Sequence, residues 1–136
     1  GTAREELEQM SEDLGVSDLI DFTGRVEHSK IASIYEEIDC IVIPRKAYPV
    51  CEVVPPLKPL EAMRFGKMVL ISDVAPSLDL IEDGVNGTLF NKGDVDSLGA
   101  KIIQISEEID KYRLENVNKI SEMSCKLFNA ARIYNN

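Results

Sequence analysis

The sequence has few of the residues that would indicate a disulfide-rich, metal-binding or nucleic-acid-binding protein. Its three cysteines, Cys40, Cys51 and Cys125, are an odd number without close spacing, which favours neither a disulfide framework nor a zinc site. Reduced thiols in a cytoplasmic protein are the better interpretation. Only 15 Lys and Arg residues stand against 24 Asp and Glu, and the net charge is −9. Such a charge argues against a surface for nucleic acid or anionic membrane, which needs clustered cations.

Long apolar runs are also missing from the sequence. No stretch is long enough to span a bilayer, so we expect no transmembrane segment, and the polar, acidic start predicts no signal peptide. Tryptophan is absent, but 44% of the residues are apolar, which is enough for a hydrophobic core. At 136 residues, the chain is expected to be a single domain or part of one.

Helical and strand-like patterns alternate along the chain, which is typical of an α/β protein with a mainly parallel sheet. Thr2 and Glu5 form a capping box and predict a first helix, with Leu7, Met10 and Leu14 on its buried stripe. The predicted strands span residues 19–23, 40–43, 68–71 and 87–90.

Later helices are predicted from caps and from apolar periodicity. They span residues 28–38, 57–65 and 77–81, a segment that begins after Asp94, and residues 109–127. Gly66 is predicted to end the second of these helices, and Ser77 to cap the third. The helix after Asp94 is expected to bury Leu98, Ile102 and Ile105. Residues 45–56 hold three prolines and are predicted to be a loop.

The segment "PPLKPLE" combines a helix start with a cation and an acid. Proline is tolerated in a first helical turn, so Pro56 and Pro59 place the helix start near Leu57. The unpaired N–H groups of that turn and the helix dipole form an anion site, to which Lys58 adds a full charge suited to phosphate. Glu61 lies about one turn further, where its carboxylate can accept hydrogen bonds from sugar hydroxyls. The turn therefore predicts binding of a nucleotide or a sugar phosphate.

A purely structural role for the same turn stays open at this point. An acid in the first turn stabilises the helix dipole without any ligand, and Lys58 can be a solvated surface residue.

Three segments, "DFTGRVEHSKIASIYEEIDCIVIPRK", "PLKPLEAMRFGKMVLISDV" and "IEDGVNGTLFNKGDVDSLGAKI", resemble the C-terminal domain of retaining glycosyltransferases of family 4, the group-1 glycosyl transferases. Each motif is weak alone, and their order along nearly the whole chain carries the resemblance. It implies a Rossmann-like, mainly parallel sheet with helices on both faces. It also implies transfer of a hexose from a nucleoside diphosphate sugar to an acceptor, with retention of the anomeric configuration, in polysaccharide biosynthesis for example.

The resemblance assigns donor-binding roles to individual residues. Glu61 resembles the glutamate that binds the ribose hydroxyls, and the preceding turn with Leu57 and Lys58 resembles the diphosphate-binding turn. The residues that resemble the loop beside the base are Gly24, Arg25 and Val26. A second family glutamate, which contacts the donor sugar, falls on Val53 here, and Glu52 lies one place earlier and could replace it if the loop shifts.

The resemblance also implies what the chain works with. The family domain begins with further strands, so residues 1–136 are expected to be a partial donor-binding domain, inactive alone and paired with an N-terminal domain of the same enzyme. The expected location is cytoplasmic, or peripheral to a membrane through that N-terminal domain. No metal or other cofactor is implied, because helix N–H groups and cations would carry the phosphate charge.

Two alternative functions remain open at the level of the sequence. A non-catalytic relative that binds sugar nucleotides would share every motif above. A signalling receiver domain is the second, because Asp73 after an apolar strand and Lys58-Pro59 imitate its acceptor and its Lys-Pro pair. Their order along the chain is the reverse of the order in receivers.

Overall fold

A computed structural model of the protein describes residues 3–115, with side chains described up to residue 109. The chain falls into two compact units, which divide between Ser33 and Ile34.

The first unit contains one regular helix, α1 (Arg4–Asp13), and two single turns of 3-10 helix, Ser17–Leu19 and His28–Lys30. The end of α1 is a Schellman motif built on Gly15, whose φ of 68° suits glycine. The Gly15 N–H donates to the Glu12 carbonyl at 2.9 Å, and the Val16 N–H donates to the Ser11 carbonyl at 2.9 Å. The predicted cap, Thr2, lies outside the described residues.

Two sequence predictions for the first unit are wrong. The expected buried stripe of α1 is exposed, with Leu7, Met10 and Leu14 retaining 48%, 49% and 69% of their accessible surface. The strand expected at residues 19–23 does not form, because the 3-10 turn includes Leu19 and the residues after it pair with no described strand. A short apolar run becomes a strand only where a neighbouring strand supplies hydrogen-bond partners.

The second unit alternates helices and strands as an α/β fold does. A helix, α2 (Ile31–Glu37), crosses the division between the units. It is followed in order by β1 (Cys40–Ile43), α3 (Pro49–Val53), α4 (Lys58–Arg64), β2 (Met68–Ser72), α5 (Ala75–Leu80), β3 (Thr88–Phe90) and α6 (Val95–Glu115). The three strands form a parallel sheet in the order β1-β2-β3, with Cys40 opposite Met68 and Leu70 opposite Thr88.

The core lies on both faces of β2. All five residues of β2 are buried, as expected for a central strand of a covered parallel sheet. On one face, Met68 and Leu70 pack with Phe90 and with Ile105 of α6. Val69 and Ile71 alternate to the other face and are equally buried, and α4 also packs against β2. The predicted α/β class with a parallel sheet is confirmed.

Helix ends in this unit follow local sequence signals. Gly66, with φ of 66°, ends α4, and the Lys67 N–H donates to the Ala62 carbonyl at 3.0 Å, which repeats the motif at the end of α1. Asp94 caps α6 as predicted, since its Oδ1 accepts from the Ser97 N–H at 2.9 Å. Ser77 is no cap, because α5 begins earlier, at Ala75.

Two further differences concern helices. The stretch of residues 45–56, predicted to be a loop, contains α3, since Pro49 occupies the first helical turn after an extended Tyr48. The helix α6 is continuous through residue 109, where a new helix was expected to begin, and it leaves Ile102 exposed while Ile105 is buried. The rest of the predicted last helix, residues 116–127, lies outside the described residues. No described helix is both long and apolar enough to cross a membrane.

Candidate functional site

The candidate residues of the second unit gather at the carboxyl edge of the sheet, where β1, β2 and β3 end at Ile43, Ser72 and Phe90. All three strands run in the same direction, so the connection after each strand leaves the sheet at this edge. The helices α4, α5 and α6 therefore begin on this side. In open parallel sheets, this edge is where ligands bind.

The first turn of α4 has the composition of an anion site. Its cap residue, Leu57, makes no side-chain cap, and the first helical hydrogen bond runs from the Glu61 N–H to the Leu57 carbonyl at 3.2 Å. Lys58 opens the helix with an exposed side chain, and buried Pro59 follows it. The prediction that the helix starts near Leu57 is confirmed, and the N–H groups before Glu61 carry no side-chain cap.

Glu61 faces a buried tyrosine from another helix. The Tyr35 hydroxyl donates to Glu61 Oε2 at 3.3 Å, and Tyr35 is only 6% exposed. Its ring stacks on Phe65, with 4.7 Å between ring centroids and 4° between planes. Burial first, and then the charge and hydrogen bond of Glu61, raise the pKa of Tyr35 to about 12, so the hydroxyl stays protonated.

Glu52 is bound on both of its carboxylate oxygens. Oε2 accepts from the Ala75 N–H at 2.9 Å, at the start of α5, and Oε1 pairs with Lys92 Nζ at 2.6 Å. The hydrogen bond from Lys92 and that from Ala75 lower the pKa of Glu52, and Glu52 raises the pKa of Lys92. The Lys92 N–H in turn donates to Asp73 Oδ1 at 2.7 Å. Glu52 thus joins α3, the start of α5 and the turn before α6. Val53, on which the second family glutamate falls, is exposed.

Arg45 ties the ends of β1 and β2 together at the same edge. Its N–H donates to Ser72 Oγ at 2.9 Å, and that hydroxyl donates to the Arg45 carbonyl at 2.9 Å. Its guanidinium donates to the Val54 carbonyl at 2.6 Å, which fixes the segment after α3. The buried Ser72 hydroxyl therefore both accepts and donates a hydrogen bond inside the fold.

The other three candidates, Gly24, Arg25 and Val26, belong to the first unit. Gly24 has a φ of 69°, and a Cβ there would lie 3.1 Å from the Arg4 guanidinium. It borders a hollow of about 360 Å³, which is lined by Ala3, Arg4, Leu7, Asp21, Phe22, Thr23 and Gly24. The guanidinium, carboxylate and hydroxyl groups around this hollow can hydrogen-bond a polar ligand.

The structure thus brings Leu57, Lys58 and Glu61 into one turn and places Glu52 in a separate ion pair. Sequence reasoning missed two contacts, Tyr35 with Glu61 and Lys92 with Glu52. Their partners are 26 and 40 positions apart, so no local spacing marks them. Within the described part of the chain, no cluster of three or more His, Cys, Asp and Glu side chains could hold a metal ion.

Comparisons with known proteins point to one family. A family model for the glycosyl transferases group 1 matches residues 1–122. An uncharacterized glycosyltransferase of Methanocaldococcus jannaschii is 28% identical over 121 residues, which are 88% of this chain and 30% of that protein. The chain spans less than a third of the length of this curated relative.

Two solved structures share the fold. Sucrose-phosphate synthase from Thermosynechococcus elongatus superposes with a TM-score of 0.69 at 20% identity, over 98% of this chain and 35% of that one. HepE from Anabaena, solved in complex with UDP, superposes with a TM-score of 0.59 at 22% identity, over 93% of this chain and 36% of that one. At these identities, the likeness establishes the Rossmann-like α/β architecture.

Proposed function

Because the chain belongs to the glycosyl transferases group 1, we propose that it forms the part of a retaining glycosyltransferase that binds a nucleoside diphosphate hexose. The observation that carries this proposal is the first turn of α4, which presents uncapped N–H groups, Lys58 and Glu61 together at the carboxyl edge of the sheet. The UDP complex of the similarly folded HepE supports the ligand class. Family membership favours this function over the receiver-domain alternative.

In this proposal, the diphosphate binds at the start of α4. The N–H groups that precede Glu61 point out of the helix, where they act with the helix dipole on an anion. Lys58 contributes a point charge from an exposed side chain that can move toward the phosphate oxygens. Pro59 removes one donor from this turn, so the charge of Lys58 is expected to matter more than it would in a fully donating turn.

Glu61 binds the ribose in the same proposal. Its carboxylate accepts one hydrogen bond from Tyr35 on Oε2, and no other side-chain hydrogen bond reaches it among the described residues. An ionised carboxylate can accept about four hydrogen bonds on its two oxygens. Capacity therefore remains for the two ribose hydroxyls, which are donors.

Glu52 acts on the donor site indirectly in this proposal. Each of its oxygens already accepts one hydrogen bond, from Ala75 or from Lys92, so a direct sugar contact would have to share the carboxylate with these donors. We propose that Glu52 fixes the start of α5 and the position of Lys92 beside the donor sugar. The chain then supplies groups that bind and orient the donor, while the acceptor is held by an N-terminal domain of the same enzyme.

Removal of Glu61 tests the proposal most directly. In the full-length protein, Glu61→Ala should weaken UDP or GDP binding by about 1–3 kcal/mol, because the ribose hydroxyls lose their acceptor. Isothermal titration calorimetry with both nucleotides measures this loss. The matched control is Glu36→Ala, an exposed glutamate next to Tyr35, which should leave the affinities unchanged. Unchanged UDP and GDP affinities in Glu61→Ala would contradict the site assignment.

The phosphate role of Lys58 has a separate test. Lys58→Ala should weaken UDP or GDP by more than it weakens the corresponding nucleoside, because only the diphosphate carries the charge that Lys58 faces. The control, Lys101→Ala, removes a lysine of α6 and should leave the difference between diphosphate and nucleoside intact. Equal losses for the two ligands in Lys58→Ala would argue against a phosphate contact.

A further inference from the structure

The side chain of Tyr35 makes two contacts, one with Glu61 of α4 and one with Phe65, the residue that follows α4. Its hydroxyl donates to Glu61, and its ring lies parallel to Phe65, which follows Glu61 by four residues and so occupies the same helix face. Tyr35 is buried, and Phe65 retains 36% of its surface. The ring and the hydroxyl of Tyr35 are therefore both in contact with the segment that carries Glu61.

This two-point contact limits the conformations that Glu61 can adopt. A glutamate in the first turn of a helix normally samples several rotamers and loses that freedom when it binds a ligand. The hydrogen bond to Tyr35 holds Oε2 against the protein before any ligand arrives. Preorganisation of this kind raises affinity, because the ordering has already taken place.

We propose that Tyr35 is a positioning residue of the donor site, which holds the Glu61 carboxylate so that its free acceptor positions receive the ribose hydroxyls. The proposal rests on the proposed role of Glu61 and adds a residue from another helix to it. A tyrosine suits this task, since its hydroxyl can donate to the carboxylate while its ring is anchored by stacking. The hydroxyl is a donor throughout the neutral range, as any tyrosine hydroxyl is, and a pKa raised to about 12 by burial and by Glu61 extends this to more basic pH.

The variant Tyr35→Phe removes the hydroxyl and keeps the ring on Phe65. The probes are UDP or GDP, whichever binds the full-length protein, and the 2′,3′-dideoxy form of the same nucleotide, which lacks both ribose hydroxyls. We expect the variant to bind the ribonucleotide roughly 3- to 10-fold more weakly, as for the loss of one hydrogen bond. Binding of the dideoxy form should be unchanged, so the preference for ribose falls by the same factor.

Two further variants separate positioning from a general structural effect. Tyr48→Phe, which alters an exposed tyrosine, is the matched control and should leave both affinities as they are. Phe65→Leu removes the ring on which Tyr35 stacks, at a position that is partly exposed. It should lower the ribose preference and leave the affinity for the dideoxy nucleotide unchanged. This second variant also tests the proposal if Tyr35→Phe does not fold.

The outcomes distinguish this proposal from the one on which it rests. In the Glu61→Ala background, Tyr35→Phe should cause no further loss of ribonucleotide affinity, because its target is gone. If Glu61→Ala binds as wild type does, the donor-site proposal itself fails. If Glu61→Ala weakens binding while Tyr35→Phe and Phe65→Leu keep the ribose preference, the positioning role of Tyr35 is wrong and the donor-site proposal stands. Equal losses for both nucleotides in Tyr35→Phe would overturn it too, in favour of a general structural role.

Discussion

The helices α1 and α4 end in the same way but differ in what they bury. Each closes with a glycine at positive φ and the same pair of backbone hydrogen bonds. Yet α4 has Ala62 and Met63 fully buried, whereas Ser11 is the one buried residue of α1. The difference follows from the sheet: α4 packs against β2, and the first unit contains no described strand. Local signals thus determine where a helix ends, but a buried face needs a second layer to pack on.

The largest expected difference in the free energy of unfolding lies between two leucine variants, one in each unit. Leu70 has no exposed surface at the centre of β2, so Leu70→Ala should lower the free energy of unfolding by about 2–5 kcal/mol. Leu14 at the end of α1 is 69% exposed, and Leu14→Ala should change the free energy of unfolding by less than about 0.5 kcal/mol. Urea unfolding followed by circular dichroism measures both changes. Comparable losses in the two variants would mean that α1 is as well packed as β2.

Substitution of the two glycines that end α1 and α4 is expected to give a stability difference of intermediate size. A Cβ on a residue with positive φ costs about 1–2 kcal/mol, and both Gly15 and Gly66 have this conformation. Because Gly66 joins α4 to the central strand, Gly66→Ala should lower the stability of the whole second unit. Gly15→Ala should open only the end of α1, since no atom lies near its added methyl group.

Amide hydrogen exchange distinguishes the two glycine variants. In Gly66→Ala, exchange should speed up in β2 and in its neighbours β1 and β3, because the unit opens as a whole. In Gly15→Ala, faster exchange should be confined to the amides of Gly15 and Val16 and their neighbours in α1. Faster exchange across the sheet in Gly15→Ala would show that the two units unfold together.

The smallest expected stability difference is between the removal of two ion pairs. Glu8 pairs with Arg4 at 2.7 Å within α1, whereas Glu52 pairs with Lys92 at 2.6 Å across the fold. Lys92 and Ala75 lower the pKa of Glu52, so its stabilising effect is present above the ordinary glutamate pKa and disappears as the pH falls through the lowered value. Glu52→Gln should therefore be slightly less stable than wild type at pH 7 and equal to it in acid. Glu8→Gln, an exposed i,i+4 pair, should change stability by no more than about 0.5 kcal/mol.

Unfolding measured across pH 2 to 8 tests this contrast. A stability difference between Glu52→Gln and wild type that persists in acid would show that the carboxylate charge is not its origin.

The sequence predicted those elements whose signals are local. The apolar runs that form β1 and β2 are continuous, Gly66 follows the last turn of α4, and Asp94 precedes α6 by one residue. The two apolar runs became strands because they also found partner strands in the sheet. Gly66 and Asp94 act through the backbone of their own segment, where the rest of the chain has little influence. The position of Leu57, Lys58 and Glu61 in one helical turn was predictable for the same reason.

What the sequence could not reveal depends on residues far apart in the chain. Leu7, Met10 and Leu14 have helical spacing whether or not a sheet covers them. Residues 19–23 have the composition of a strand but pair with no described strand. The hydroxyl of Tyr35 reaches Glu61 only because α2 and α4 come together in the folded second unit. Glu52 likewise meets Lys92 only once α3 and the turn after β3 lie at the same edge.

The central position of β2 has a consequence for the order in which the chain folds. Both β1 and β3 find their hydrogen-bond partner in β2, and a helix-containing connection separates β2 from each. Parallel strands joined in this way cannot zip up from a tight hairpin, so loop closure has to precede every pairing. Single helices form in about a microsecond or less, well before such non-local contacts. We therefore expect α4 and α6 to form and dissolve repeatedly, until β2 is enclosed on both sides and the sheet assembles in one kinetic step.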